Sequence, residues 1–95
     1  MARILEVKRE NQADAAVCEV PYESQADLCW YEVGYPQQAT GDALWCFVQN
    51  EDQASFKILR VKYDTQATLR IFKVRFPEKA GWRNASHPLR GELDK

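Results

Sequence analysis

The sequence lacks an excess of either charge: 13 Lys and Arg stand against 14 Asp and Glu, a net charge of −1 with the single His neutral. That balance speaks against a nucleic-acid or anionic-membrane footprint, which needs a basic surplus. It is also short of the residues that build metal and redox centres. The three cysteines, Cys18, Cys29 and Cys46, are odd in number, form no Cys-x-x-Cys pair and have no histidine at zinc spacing. They read as reduced structural thiols, so no metal site and no cofactor are expected. Long apolar runs are missing too. Ile4, Leu5 and Val7 are broken by Glu6 and followed by Lys8, Arg9 and Glu10, so no signal-peptide core forms and no stretch reaches bilayer-spanning length. The expected setting is cytoplasmic, without membrane contact. No phosphate-cradling glycine loop and no acid/base pair stands out.

What is present is regularity. The 95 residues suffice for one domain with a small core, and a hydrophobic fraction of 45% with 12% aromatics is that of a globular chain. Valine recurs at Val7, Val20, Val33, Val48, Val61 and Val74, with spacings of 13, 13, 15, 13 and 13 residues. A second position keeps the same register: Gln12, Gln25, Gln38, Gln53 and Gln66, then Lys79, each precede an alanine. The long copy carries two extra residues within Thr40–Asp42, where Gly41 and Asp42 mark a turn. An insertion that leaves both flanking registers intact belongs in a loop.

Aligned copies expose a strand in each. Leu69, Ile71, Phe72, Val74 and Phe76 match Phe56, Ile58, Leu59, Val61 and Tyr63, and match Leu28, Trp30, Tyr31, Val33 and Tyr35. Alternation means strand, and the one phase change in mid-copy predicts a bulge or a passage from one layer to another. Roughly eight extended residues and five for a turn leave no room for a crossover helix. A unit this short buries nothing alone, so its stability must come from neighbouring copies.

Tyr22–Leu28, with its relatives Tyr63–Leu69 and Gln49–Phe56 and the ending Lys79–Asn84, resembles the bacterial septoil-knot domain family over nearly the whole chain. The resemblance implies an all-β, compact, two-layered fold of about seven short strands, whose backbone ties a seven-crossing torus knot. It brings no established activity with it. Arg9, where an aromatic usually stands, and the two-residue insertion depart from the pattern. Residues 1–84 are expected to form the wound domain and 85–95 a C-terminal tail that closes the last turn or frays.

Among candidate functional residues, Gln12, Gln25, Gln38, Gln53 and Gln66 are the most suggestive, because winding could bring five amides round one axis. They would then line a polar cavity for a small ligand, or else satisfy backbone groups of their own turns. Cys18 and Cys46 share a slot with Tyr31, Leu59 and Phe72 and read as buried fillers, whereas Cys29 shares one with Lys57 and Arg70 and is expected to be the exposed thiol. Glu10, Glu23, Glu51 and Asp64 read as solvated turn carboxylates. Lys57, Arg60, Lys62, Arg70, Lys73 and Arg75, beside Phe72 and Phe76, form a weak basic and aromatic strip. Trp82 is expected to plug one end of the core. The combined reading is a monomeric, non-catalytic scaffold or interaction module, with a small-ligand-binding protein as the alternative.

Overall fold

The computed structural model describes residues 2–94. Seven strands form: β1 (Arg3–Val7), β2 (Ala15–Glu19), β3 (Leu28–Glu32), β4 (Leu44–Phe47), β5 (Phe56–Arg60), β6 (Leu69–Lys73) and β7 (Gly81–Trp82). Each of the first six is followed by a single 3₁₀ turn: η1 (Glu10–Gln12), η2 (Glu23–Gln25), η3 (Pro36–Gln38), η4 (Glu51–Gln53), η5 (Asp64–Gln66) and η6 (Pro77–Lys79). The exclusion of long helix holds. What the turns use instead is one tight 3₁₀ loop per repeat, for which Pro36 and Pro77 at the first position supply a preset φ.

The six full strands are all parallel and close into a ring in the order β1, β5, β2, β6, β3, β4, with β7 antiparallel on β3. The two layers are opposite walls of this one closed sheet. Parallel neighbours ordinarily need a long crossover, but here the strands are strongly staggered. Glu6 of β1, Ile58 of β5 and Ala15 of β2 stand at one level. The chain therefore only has to step sideways across one strand, roughly 10 Å at ordinary sheet spacing, and a turn of a few residues is enough.

The ring order also explains the irregular repeat. Successive strands advance by two places, so β1, β2 and β3 fill alternate places and a further step of two would land on β1 again. One odd step is required before β4, β5 and β6 can occupy the gaps left by the first circuit. It falls between β3 and β4, where the spacing lengthens from 13 to 15. There the chain crosses β4, gives Ala39 C=O to the Ala2 N–H at 2.9 Å, and doubles back through Gly41 at φ 77. Only glycine takes that left-handed conformation at little cost.

Each connection that skips a place passes outside the strand it skips. Val61 N–H and Thr68 N–H both bond to β2, at Val17 C=O and Ala16 C=O (2.8 Å each), so residues 62–67 lie as a strap over the outer face of β2. Val20 and Asp27 bracket β6 in the same way, and Val48 and Ser55 bracket β1. The apolar phase change follows from this arrangement rather than from a bulge. Inward residues such as Leu28, Trp30, Ile58, Leu69 and Ile71 fill the barrel, while Cys18, Leu59, Phe72 and the repeated valines face outward beneath straps. Both faces of a strand can then be apolar. The alanine after each turn is where a strap lands, and Ala26 and Ala39 are buried there.

The tail packs against the barrel. Leu93 is fully buried in the core cluster, Leu89 packs on its rim, and Leu93 C=O accepts from Ser55 Oγ at 2.9 Å. Asp42, in the two-residue insertion, holds the tail. Its carboxylate accepts the Trp82 indole N–H at 2.8 Å and the backbone N–H groups of Gly91 and Asp94. Trp82 itself is only half-buried, so the plug of this end is Leu93.

Candidate functional site

The five repeat glutamines occupy the last position of their 3₁₀ turns, where each backbone N–H bonds to the carbonyl three residues earlier at 3.0–3.1 Å. Their side chains are exposed and do not gather round an axis, because the barrel interior is filled with Ile4, Val17, Ile58, Leu69 and Ile71. Gln38 Oε1 accepts the Tyr35 N–H at 3.2 Å, a local bond within its own turn. Gln25 and Gln66 line separate open clefts between straps, and Gln12 and Gln53 point to solvent. A closed polar cavity shared by five amides is therefore not what the winding produces.

Cys29 corrects the expectation of an exposed thiol, being 1% exposed. It shares a repeat slot with Lys57 and Arg70, but β7 pairs with it and Glu23 of the η2 strap lies over it, with Sγ 3.9 Å from Glu23 Oε1. Burial pushes its pKa up, and the Glu23 charge adds to the rise against a lowering by Arg83. A thiol held neutral is a poor nucleophile. His87 is also buried. Its ring stacks on Trp82 with centroids 5.3 Å apart, Nδ1 accepts the Leu89 N–H at 3.1 Å, and Nε2 therefore carries the proton facing Thr68 C=O at 3.0 Å. Asp27 Oδ2 lies 3.8 Å from Nε2 and accepts the Arg70 N–H at 3.1 Å. These contacts pin the tail to β6 and β3. No hydrogen bond joins His87 to Cys29 among the described residues, and no group of three or more His, Cys, Asp or Glu there could hold a metal ion.

Most of the basic strip is spoken for. Lys57 pairs with Glu51 at 3.0 Å, Lys73 with Glu32 at 3.3 Å and Arg70 with Asp27 at 3.6 Å. Arg60 bonds both Glu6 (2.6 Å) and Glu19 (3.1 Å). Partial burial works against the Arg60 charge, and these two carboxylates outweigh it, leaving its pKa above the ordinary value. Lys62 lies over its neighbour Tyr63, 5.8 Å from the ring centre.

The feature that sequence reasoning missed is aromatic. The residue immediately before each 3₁₀ turn is Arg9, Tyr22, Tyr35, Asn50, Tyr63 or Phe76, and the four aromatics are each more than half exposed. In chain order they are scattered. Around the ring they follow β5, β2, β6 and β3, so Tyr63, Tyr22, Phe76 and Tyr35 occupy four successive places. Arg9 and Asn50 occupy the remaining two. The signal available in the sequence was that these aromatics fall past the valine, at the edge of the polar turn, where a strand-core residue would not be.

Between neighbouring straps of this arc lie open clefts. One, of about 200 Å³, is lined by Glu23 of the η2 strap and by Phe72, Lys73, Val74, Arg75, Phe76 and Lys79 from β6 and the η6 strap. A second, of about 210 Å³, lies between the η5 and η2 straps and is lined by Cys18, Glu19, Val20, Pro21, Gln25, Lys62, Tyr63 and Asp64.

This winding of 13-residue strand-and-turn units has a counterpart among known families: the family model of the 7(1) septoil knot domain matches residues 1–83. The chain belongs to the septoil knot domain family. The matched span takes in all seven strands and all six straps of the domain, and stops short of the tail that Asp42 holds. Comparison with curated proteins and with solved structures gave no match. Among the described residues, no helix is long and apolar enough to cross a membrane.

Proposed function

We propose that this septoil knot domain is a non-catalytic binding module whose docking surface is the arc of Tyr63, Tyr22, Phe76 and Tyr35. One observation carries the reading: the interleaved winding sets four exposed aromatics on successive places of the ring. Exposed apolar side chains on neighbouring straps mark interaction sites, and aromatics supply most of the anchoring energy at interfaces. The straps that carry them are stiff. Each is closed by 3₁₀ hydrogen bonds and tied at both ends to the barrel, so little conformational freedom remains to be lost on docking.

The test is a peptide-display selection against the full chain, followed by binding measurements on a variant with Tyr22→Ser, Tyr63→Ser and Phe76→Ser. Selected peptides that lose binding to the variant, with its thermal midpoint preserved, support the reading. Peptides that bind the variant equally well overturn it. A second reading, a small polar ligand held by glutamines, draws on Gln25 and Gln66, which each line an inter-strap cleft. Unchanged small-molecule binding in a Gln25→Leu, Gln66→Leu pair would remove it.

A further inference from the structure

The two clefts of the arc differ in charge. In the one between the η5 and η2 straps, Lys62 faces Glu19 and Asp64, and the lining is not positive. In the one between the η2 and η6 straps, Lys73, Arg75 and Lys79 face a single carboxylate, Glu23. Glu23 is already engaged by Arg83 at 3.8 Å and by the Cys29 thiol, and Lys73 is engaged by Glu32. Arg75 and Lys79 have no carboxylate partner among the described residues. Lys8 and Arg9 before the η1 turn and Lys62 of the η5 strap lack such a partner too, but of the two clefts of the arc this is the one where unmet positive charge collects.

The repeat shows why it collects there. Lys79 stands where the other five turns carry glutamine, and Lys79 Nζ lies 5.6 Å above the Phe76 ring centre. Arg75 stands where the neighbouring straps on either side carry Pro21 and Gly34. Beneath these cations the floor is apolar: Phe72 is part-exposed, Val74 is buried and Phe76 forms a wall. An apolar floor with cations at its rim is complementary to a bulky apolar side chain flanked by carboxylates. Two free cations are too few to follow a phosphate backbone, whose binding neutralises many charges at once.

We infer that the cleft between the η2 and η6 straps is the specificity pocket of the arc and takes an acidic peptide segment of a partner protein, an aromatic side chain on Phe72 and Phe76 and its flanking carboxylates on Arg75 and Lys79. The inference rests on the arc being a docking surface and goes further in naming where and for what chemistry. Because both cations are solvent-facing, their contribution is modest and sensitive to salt.

The experiment is a titration of the isotope-labelled full chain with two end-blocked pentapeptides, Asp-Asp-Phe-Asp-Asp and Lys-Lys-Phe-Lys-Lys, read by amide chemical shifts. The acidic peptide is expected to move the resonances of Phe72–Lys79 and Glu23, and to weaken as salt rises. A paired Arg75→Glu, Lys79→Glu variant should bind it about tenfold or more weakly, while Lys62→Glu, at the neighbouring cleft, should leave its affinity unchanged. Equal binding of the basic peptide, undiminished binding to the paired variant, or no shift at all would overturn the inference. Shifts confined to Tyr63 and Tyr22 would also overturn it while leaving the docking arc standing, since the display selection tests that surface separately.

Discussion

Replacing Asp42 tests how the domain is closed. One carboxylate accepts from the Trp82 indole, the Gly91 N–H and the Asp94 N–H, and the Asp42 backbone carbonyl takes the Trp45 indole N–H at 2.6 Å. Asp42→Ala leaves that last bond in place and strips the other three. Hydrogen bonds to a charged acceptor contribute about 1.5–3 kcal/mol each, but Gly91 is exposed and can turn to water, so the summed loss is well below three full bonds. We expect about 2–4 kcal/mol, with Asp42→Asn losing about half of that. The tail should loosen before the barrel does, because Leu93 then seals its end of the core with fewer tethers. Leu93→Ala alone should cost about 2–5 kcal/mol, as for other fully buried leucines. The two changes act on one docked segment and should be strongly non-additive. The assays are denaturant unfolding of the two single variants and the double, with amide exchange at Gly91, Leu93 and Asp94. An Asp42→Ala protein within about 0.5 kcal/mol of the parent, with tail protection unchanged, would refute the latch.

Three more expectations concern folding, pH and access to the Cys29 thiol. The strands of the second circuit must enter gaps between those of the first with straps passed outside, so refolding should take seconds or longer, slow for a β domain of this size; stopped-flow fluorescence of Trp30 and Trp45 showing complete millisecond refolding would contradict this. The folded-state pKa of Cys29 is raised above its unfolded value by burial and by Glu23, so its contribution to stability is full below the unfolded thiol pKa of about 8.5 and is lost as pH climbs through the folded value. Stability should therefore fall on the alkaline side, and Cys29→Val should flatten that fall; an identical alkaline slope in the variant would count against the assignment. In the native protein at neutral pH, iodoacetamide should label Cys29 no faster than global or local opening permits, which mass spectrometry of the labelled chain reads directly.

Much of the architecture is legible in the amino-acid sequence. The valine and glutamine registers mark the strand and the turn of each unit, because period-two apolar patterning and turn chemistry are local properties. Pro36 and Pro77 sit where a preset φ is useful, and the two residues added around Gly41 mark the one place where the chain behaves differently. The candidate site was less legible. Cys29 looked exposed because its slot holds Lys57 and Arg70 elsewhere, and it is buried because β7 pairs only with β3. The glutamines looked convergent because equivalence in a repeat suggests a common axis, yet a barrel of this width fills its axis with Ile and Leu and turns its loops outward.

Local chemistry in the chain thus sets where strands run, where they turn and where one step must be irregular. Which strand lies beside which is a different kind of fact. It comes from closing six places with steps of two, a global packing condition that no window of sequence contains. That closure turns Tyr22, Tyr35, Tyr63 and Phe76 from scattered residues into one arc, hides Cys29, and joins Asp42 to a tail some fifty residues away. Each of these depends on contacts between segments distant along the chain, whose partners are decided only when the whole ring is complete.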